Sequence, residues 1–126
     1  MKVPSELRFT KDHEWVRLEG NFARVGITDY AQDALGDVVF VDVPVVGKEV
    51  KANESFSEVE STKSVSSIYA PVNGKVVQSN DLLAAQPELV NSDPYGDGWL
   101  CVIECSDLSQ TEELLEADAY IQLTEN

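Results

Sequence analysis

Apolar and polar positions alternate over short β-branched or aromatic runs for most of the chain, and turn residues cut those runs at close intervals. That pattern predicts a mainly β body with small helical additions. Glu14-Trp-Val-Arg-Leu18 and Phe22-Ala-Arg-Val25 flank Glu19-Gly20-Asn21, which reads as a hairpin with Gly20 free to take a positive φ. The period changes at Thr28. From there to Gly36, Tyr30, Ala31, Ala34 and Leu35 recur at helical spacing, so a short helix is expected with these four on its inner face. Thr28 would cap it, Asp29 would sit at the positive end of its dipole, and Gly36 would supply the left-handed residue that ends it. Val38-Val-Phe-Val-Asp-Val43 then reads as a strand stopped by Pro44.

Two related segments follow, Val46-Gly-Lys-Glu-Val50 and Val72-Asn-Gly-Lys-Val76, and the repeat suggests a pseudo-two-fold body. Its midpoint falls within residues 56–69, where two strand-like arms meet at Ser61-Thr62-Lys63-Ser64 and put Lys63 at a hairpin tip. In the tail, Ser109-Gln-Thr-Glu112 has the form of a capping box, Ser109 at N-cap and Glu112 at N3, ahead of Leu114-Leu115 and Tyr120-Ile121. A C-terminal helix, continuous or broken, is expected to pack on the sheet.

The 126 residues, 43% hydrophobic and 25% charged, fit one globular domain. Nine Lys and Arg against 23 Asp and Glu leave a formal charge of −14, which repels phosphate backbones and anionic lipid. Nucleic acid and membrane are therefore not the expected partners, and the chain reads as a monomer when free. The last base is Lys75; the 51 residues after it carry 11 acids, a face that either steers basic partner proteins or serves solubility alone. Cys101 and Cys105 have the spacing of neither a redox nor a zinc motif and would share one strand face as reduced thiols. The N-terminus lacks an apolar or basic amphipathic leader, so the bacterial cytoplasm is expected ahead of the mitochondrial matrix. Asn53-Glu54-Ser55 matches a glycosylation sequon by chance in such a compartment.

The catalytic inventory is thin. There is one histidine, His13, and no zinc, hydrolase or phosphate-loop motif, and the acids are not interleaved with metal-ligating residues. No metal is assigned, and His13 is expected to pack at the surface or partly buried rather than to pair with Glu14. Lys63 stands apart: its nearest basic neighbours, Lys51 and Lys75, are each 12 residues away, and small Ser and Thr residues surround it. A lysine on an open turn is what a modifying enzyme needs, because the amine must enter another protein's active site.

The chain resembles the H proteins of the glycine cleavage system. The likeness runs through Lys11-Asp-His-Glu-Trp-Val16, Val25-Gly-Ile-Thr-Asp-Tyr-Ala-Gln-Asp-Ala-Leu-Gly-Asp-Val-Val-Phe-Val41, Val59-Glu-Ser-Thr-Lys63, Ile68-Tyr-Ala-Pro-Val-Asn-Gly74 and Pro87-Glu-Leu-Val-Asn-Ser-Asp-Pro-Tyr-Gly-Asp-Gly-Trp99. It implies a barrel-sandwich hybrid of the biotinyl/lipoyl type with a short internal helix and a C-terminal helix. One carrier domain would span 1–126, with a lipoyl-like body at about 37–105 and a helical tail at about 107–126. It also implies lipoate in amide linkage to Lys63, attached by a lipoyl-attaching enzyme, in a carrier that is not itself an enzyme. Glycine decarboxylase would load the aminomethyl group, the aminomethyltransferase would pass it to tetrahydrofolate, and dihydrolipoamide dehydrogenase would reoxidise the arm. By the same resemblance Glu14 would meet the aminomethyl ammonium with Asp12 nearby, while Ile27, Ala31 and Leu35 would line a cleft for the loaded arm. Plain packing explains the three apolar residues equally, and a solvated strand start explains Glu14.

Some positions depart from the family pattern. Thr62 and Ser64 flank the lysine where Val and Ala are common, and Ser67 stands where many relatives carry an acid near the docked arm. Around Ala52-Asn53 a frequent Gly is missing, and Asn53 would take the left-handed conformation instead. Two other functions stay open at this point: a lipoate relay to 2-oxoacid dehydrogenase subunits, and an unmodified acidic protein-binding module.

Overall fold

The structure, a computed structural model, describes residues 1–125. A six-stranded antiparallel sheet is built from β1 (Arg8–Phe9), β2 (Glu14–Glu19), β3 (Phe22–Ile27), β9 (Cys101–Cys105), β8 (Gly74–Ser79) and β5 (Glu49–Val50), adjacent in that order. A three-stranded antiparallel sheet holds β4 (Val38–Asp42), β6 (Ser55–Ser61) and β7 (Val65–Tyr69). The main core gathers inward residues from both sheets, among them Val16, Val25, Val59, Ile68, Val76 and Ile103. Alternation sets these faces: Val16 pairs with Val25 and Glu14 with Ile27 in the β2–β3 register, so all four point to the same side.

Most of the expected elements form. The β2–β3 hairpin closes over Gly20 at φ 61, and Cys101 and Cys105 are buried free thiols. The two repeated segments pair with each other, Glu49 with Lys75 and Val50 with Gly74. Helix α1 (Asp29–Leu35) is capped by Thr28, whose side chain accepts from Ala31 N at 3.2 Å, and ends at Gly36 with φ 81. Its inner face is narrower than the spacing suggested: Leu35 reaches the core and Ala31 packs partly against it, whereas Tyr30 and Ala34 are exposed. Tyr30 instead stacks on His13, ring centroids 4.5 Å apart.

The tail differs in its cap. Asp107, not Ser109, starts the segment, its carboxylate accepting from Ser109 N at 3.0 Å and Ser109 Oγ at 2.6 Å. With its own amide and hydroxyl both bound to the Asp107 carboxylate, Ser109 lies inside the first turn as a donor and does not stand at the cap. A 3-10 turn over Leu108–Glu113 follows, after short helices α2 (Leu82–Ala85) and α3 (Leu89–Ser92) earlier in the chain, and then α4 (Ala117–Thr124). α4 covers a second core of Leu7, Phe9, Trp15, Ala117 and Tyr120, with Phe9 and Tyr120 stacked 4.8 Å apart. Reciprocal backbone bonds between Phe9 and Leu115, 2.8 and 2.7 Å, close the sheet edge there. Among the described residues no helix is long and apolar enough to cross a membrane, and no group of three or more His, Cys, Asp or Glu could hold a metal ion.

Candidate functional site

The β6–β7 hairpin carries Lys63 at its tip, as the arms on either side of it implied. Ser61 closes the turn: its N donates to Ser64 O at 2.8 Å, while its Oγ accepts from Lys63 N and Ser64 N, both at 3.1 Å. Every polar group of that short side chain serves the turn, which leaves the exposed Lys63 side chain free of structural duty. Thr62 N donates to Asp37 O at 3.0 Å and seats the tip against the end of α1. The stem of the lysine runs past Gly36, where a Cβ would stand 3.0 Å from Lys63 Cε. Asn91 props this support from α3, accepting from Val38 N at 2.9 Å and donating to Gly36 O at 2.8 Å.

A cavity of about 240 Å³ opens near the other end of β7, lined by Thr10, Asp12, Glu14, Asn53, Ala70 and Glu113 among others. Glu14 is the chemical centre of it. Alternation in β2 turns its carboxyl to the inner face of the sheet, where only 1% of the residue remains exposed. Thr10 Oγ1 donates to Glu14 Oε1 at 2.6 Å, and Tyr69 N donates to Oε2 at 3.4 Å. Burial raises the carboxyl to about 7 from an ordinary 4.5; the bonds from Thr10 and Tyr69 oppose the rise and the Asp12 charge adds to it. A carboxyl poised near neutrality in a partly closed cavity is suited to receive a cation or a proton.

The residues named from the sequence are therefore divided. Asp12 and Glu14 share this cavity. Ile27, cross-strand partner of Glu14, and Leu35 are in the core, Ala31 packs partly against it, and Ser67 lies exposed on the outer face of β7; none of these four lines the cavity. Glu14 is not a solvated strand-start acid. Sequence reasoning missed Thr10, whose place four residues before Glu14 in a turn was the available signal, and Tyr69, which acts through its backbone and leaves no side-chain signature. Asn53 does take the left-handed conformation, φ 71. His13 is half-buried rather than paired with Glu14, and burial lowers its imidazole below the usual value against the opposing charge of Asp12.

Comparison with known proteins gives a consistent result. The family model described as Glycine cleavage H-protein matches residues 7–126. The chain is similar to the glycine cleavage system H protein of Anoxybacillus flavithermus, 54% identical over 98% of this chain and 97% of that one. It is 55% identical to that of Geobacillus kaustophilus, over 95% and 94% of the two chains. A crystal structure of a glycine cleavage system H protein from Mycobacterium marinum superposes with a TM-score of 0.90 at 41% identity, covering 98% of this chain and all of that one. The mainly β lipoyl-type fold with an internal helix and a C-terminal helix is thus the one observed.

Proposed function

The chain belongs to the glycine cleavage H-protein family, and on that premise we propose how its residues serve the lipoyl-carrier role in glycine cleavage. Lys63 is the attachment site. The observation that carries this is its exposure on a tip whose backbone is closed entirely by Ser61 and Asp37, with Gly36 leaving room for the stem. A primary amine so placed fits amide linkage to lipoate, and Thr62 and Ser64 are small enough to let a lipoyl-attaching enzyme approach. When bound, lipoate supplies a strained disulfide that takes up the aminomethyl group from glycine and yields it for transfer to tetrahydrofolate.

The chain's own residues present and protect that cargo. Val65 and Tyr69 stand four residue steps apart at the two ends of β7, roughly 13 Å of strand rise, a span on the scale of a lysine stem lengthened by a lipoyl chain. Glu14, buried and held by Thr10 and Tyr69, offers a counter-charge to the cargo's ammonium from a carboxyl shielded from solvent. Asp12 adds negative charge at the mouth, and Gln110 and Glu113 from the tail form the opposite wall. The stretch 37–105 acts as the lipoyl body, and the tail after it closes the cavity through Gln110, Glu113, Leu114 and Leu115. Catalysis itself belongs to glycine decarboxylase, the aminomethyltransferase and dihydrolipoamide dehydrogenase, which the tethered arm visits in the cytoplasm.

The test is intact mass and peptide fragmentation of protein from a host supplied with lipoate, together with reconstitution using the three enzymes. One lipoyl group on Lys63 and transfer through it are the expected results. An unmodified chain, in a host that lipoylates another acceptor, would return the function to an unmodified binding module.

A further inference from the structure

His13 has φ 70 and Asn53 φ 71, and they are the two non-glycine residues with positive φ among the described residues. Asn53 lines the cavity, whereas His13 does not reach it but stands in the chain between two residues that do, Asp12 and Glu14. A left-handed β-carbon-bearing residue costs about 1–2 kcal/mol and persists only where its surroundings hold it. For His13 those surroundings are visible. The turn from Thr10 to Glu14 closes by Thr10 N to Glu14 O at 2.9 Å and His13 N to Thr10 O at 3.2 Å, a three-residue hairpin loop whose last position usually belongs to glycine or asparagine.

The ring of His13 is fixed from two sides. Tyr30 stacks on it, and Tyr120 meets it edge-on at 5.7 Å while its hydroxyl lies 2.7 Å from His13 Nδ1. The same hydroxyl is 2.7 Å from Thr28 Oγ1, which accepts from Ala31 N at 3.2 Å. Thr28 is fully buried, so its proton needs an acceptor, and Tyr120 is the one in reach. The chain of bonds therefore runs one way: Ala31 N–H to Thr28, Thr28 O–H to Tyr120, Tyr120 O–H to a neutral His13. Thr28 N also donates to His13 O at 3.0 Å, so the helix cap is joined to the turn twice.

We infer that Tyr120, presented by the C-terminal helix, is a positioning residue: through His13 and Thr28 it locks the turn that aims Asp12 and Glu14 into the cavity. This rests on the reading of Glu14 as counter-charge for the loaded arm, and it gives α4 a part in cargo protection without touching the cargo. The other charged groups at the cavity, Lys11, Asp12 and Glu113, lie on the turn itself or on the tail and are not part of the lock.

Two variants test it on the unmodified chain, with the Glu14 titration followed by carboxyl-carbon NMR. Tyr120→Phe keeps the ring stack on Phe9 and removes only the hydroxyl; His13→Gly removes the ring and tolerates the left-handed turn. Both are expected to let water reach the Glu14 carboxyl and to move its midpoint toward the ordinary carboxylate range, a shift that a purely structural role for Tyr120 would not produce. An unchanged Glu14 midpoint in the folded variants overturns the inference. Should Tyr120→Phe fail to fold, His13→Gly alone decides, because relief of strain favours its folding. The titration needs no arm, so it stands apart from the carrier reading. Lifetime of the loaded protein is measured separately: it is expected to shorten in both variants, and if Glu14 shifts while the lifetime does not, the protective role of Glu14 fails and the lock remains.

Discussion

Replacing Glu14 by Gln should make the protein more stable at neutral pH and worse at its task. The carboxyl sits near 7 in the folded chain against an ordinary 4.5, chiefly because burial penalises its charge. Between those two pH values the native state holds a proton that the unfolded chain has released, so stability falls as pH rises through the window. The contribution is intact below about 4.5 and is lost as pH passes 7. At about 1.4 kcal/mol per factor of ten, the whole effect is about 3 kcal/mol. The amide side chain would keep the volume and carry no charge, but its single carbonyl oxygen can replace only one of the two acceptors serving Thr10 and Tyr69. Losing the other costs about 1 kcal/mol, so a net gain of about 2 kcal/mol is expected at pH 8 and none, or a small loss, at pH 5. Urea unfolding of both proteins from pH 5 to 8 measures this, and the difference between them cancels the titration of the other groups. A difference that does not vary with pH would refute the buried, proton-binding carboxyl. In the carrier reading the same variant lets the loaded protein decay faster, so stability and protection move in opposite directions.

Lys63→Ala is expected to abolish lipoylation by intact mass while changing unfolding free energy by no more than about 0.5 kcal/mol, since no described bond uses the side chain. A large loss of stability would show that the lysine holds the tip together. At the second left-handed site, Asn53→Ala should lower stability by about 1 kcal/mol and Asn53→Gly should leave it nearly unchanged, as read by denaturant midpoint. Cys101 is fully buried and its thiol is pushed up to about 12, so at pH 8 it should resist alkylation in the folded protein and react on unfolding. Rapid labelling of Cys101 under native conditions would contradict the packing of β9.

Much of the fold was legible because it depends on local rules. Gly20 and Gly36 mark a turn and a helix end that need positive φ, and alternation from Glu14 to Leu18 separates the two faces of β2. The Val46 and Val72 segments showed as a repeat in the sequence, though not that they pair with each other as β5 and β8, and the small residues around Lys63 announced an open tip. What failed was decided by competition or distance. Ser109 has the right spacing for a cap, yet the carboxylate of Asp107 starts the turn two residues earlier and takes the amide and hydroxyl of Ser109. Tyr30 has the right spacing for the core, yet the ring of His13, from another strand's start, offers it a partner at the surface. The acid site was only half visible: Asp12 and Glu14 stand together in the sequence, whereas Thr10, a turn hydroxyl, gave only its spacing and Tyr69 donates through its backbone from 55 residues away.

That long-range half explains why this cavity carries strain. A carrier must release its cargo to an enzyme and still guard it in between, so the guarding groups cannot be bound permanently to other charges. Glu14 meets this condition: its partners are a hydroxyl and a backbone amide, and no cation lies within ion-pair distance among the described residues. Such a carboxyl is costly to keep buried, and the left-handed turn at His13 adds to the cost. Both would relax outward if nothing opposed them. The opposing structure is the second core, where Phe9 and Tyr120 stack beneath the turn and the Phe9–Leu115 bonds pin the tail to the sheet edge. On this account the C-terminal segment supports an acid that the lipoyl body alone would expose, and shortening the chain before Ala117 should free the Glu14 turn while leaving the Lys63 hairpin in place.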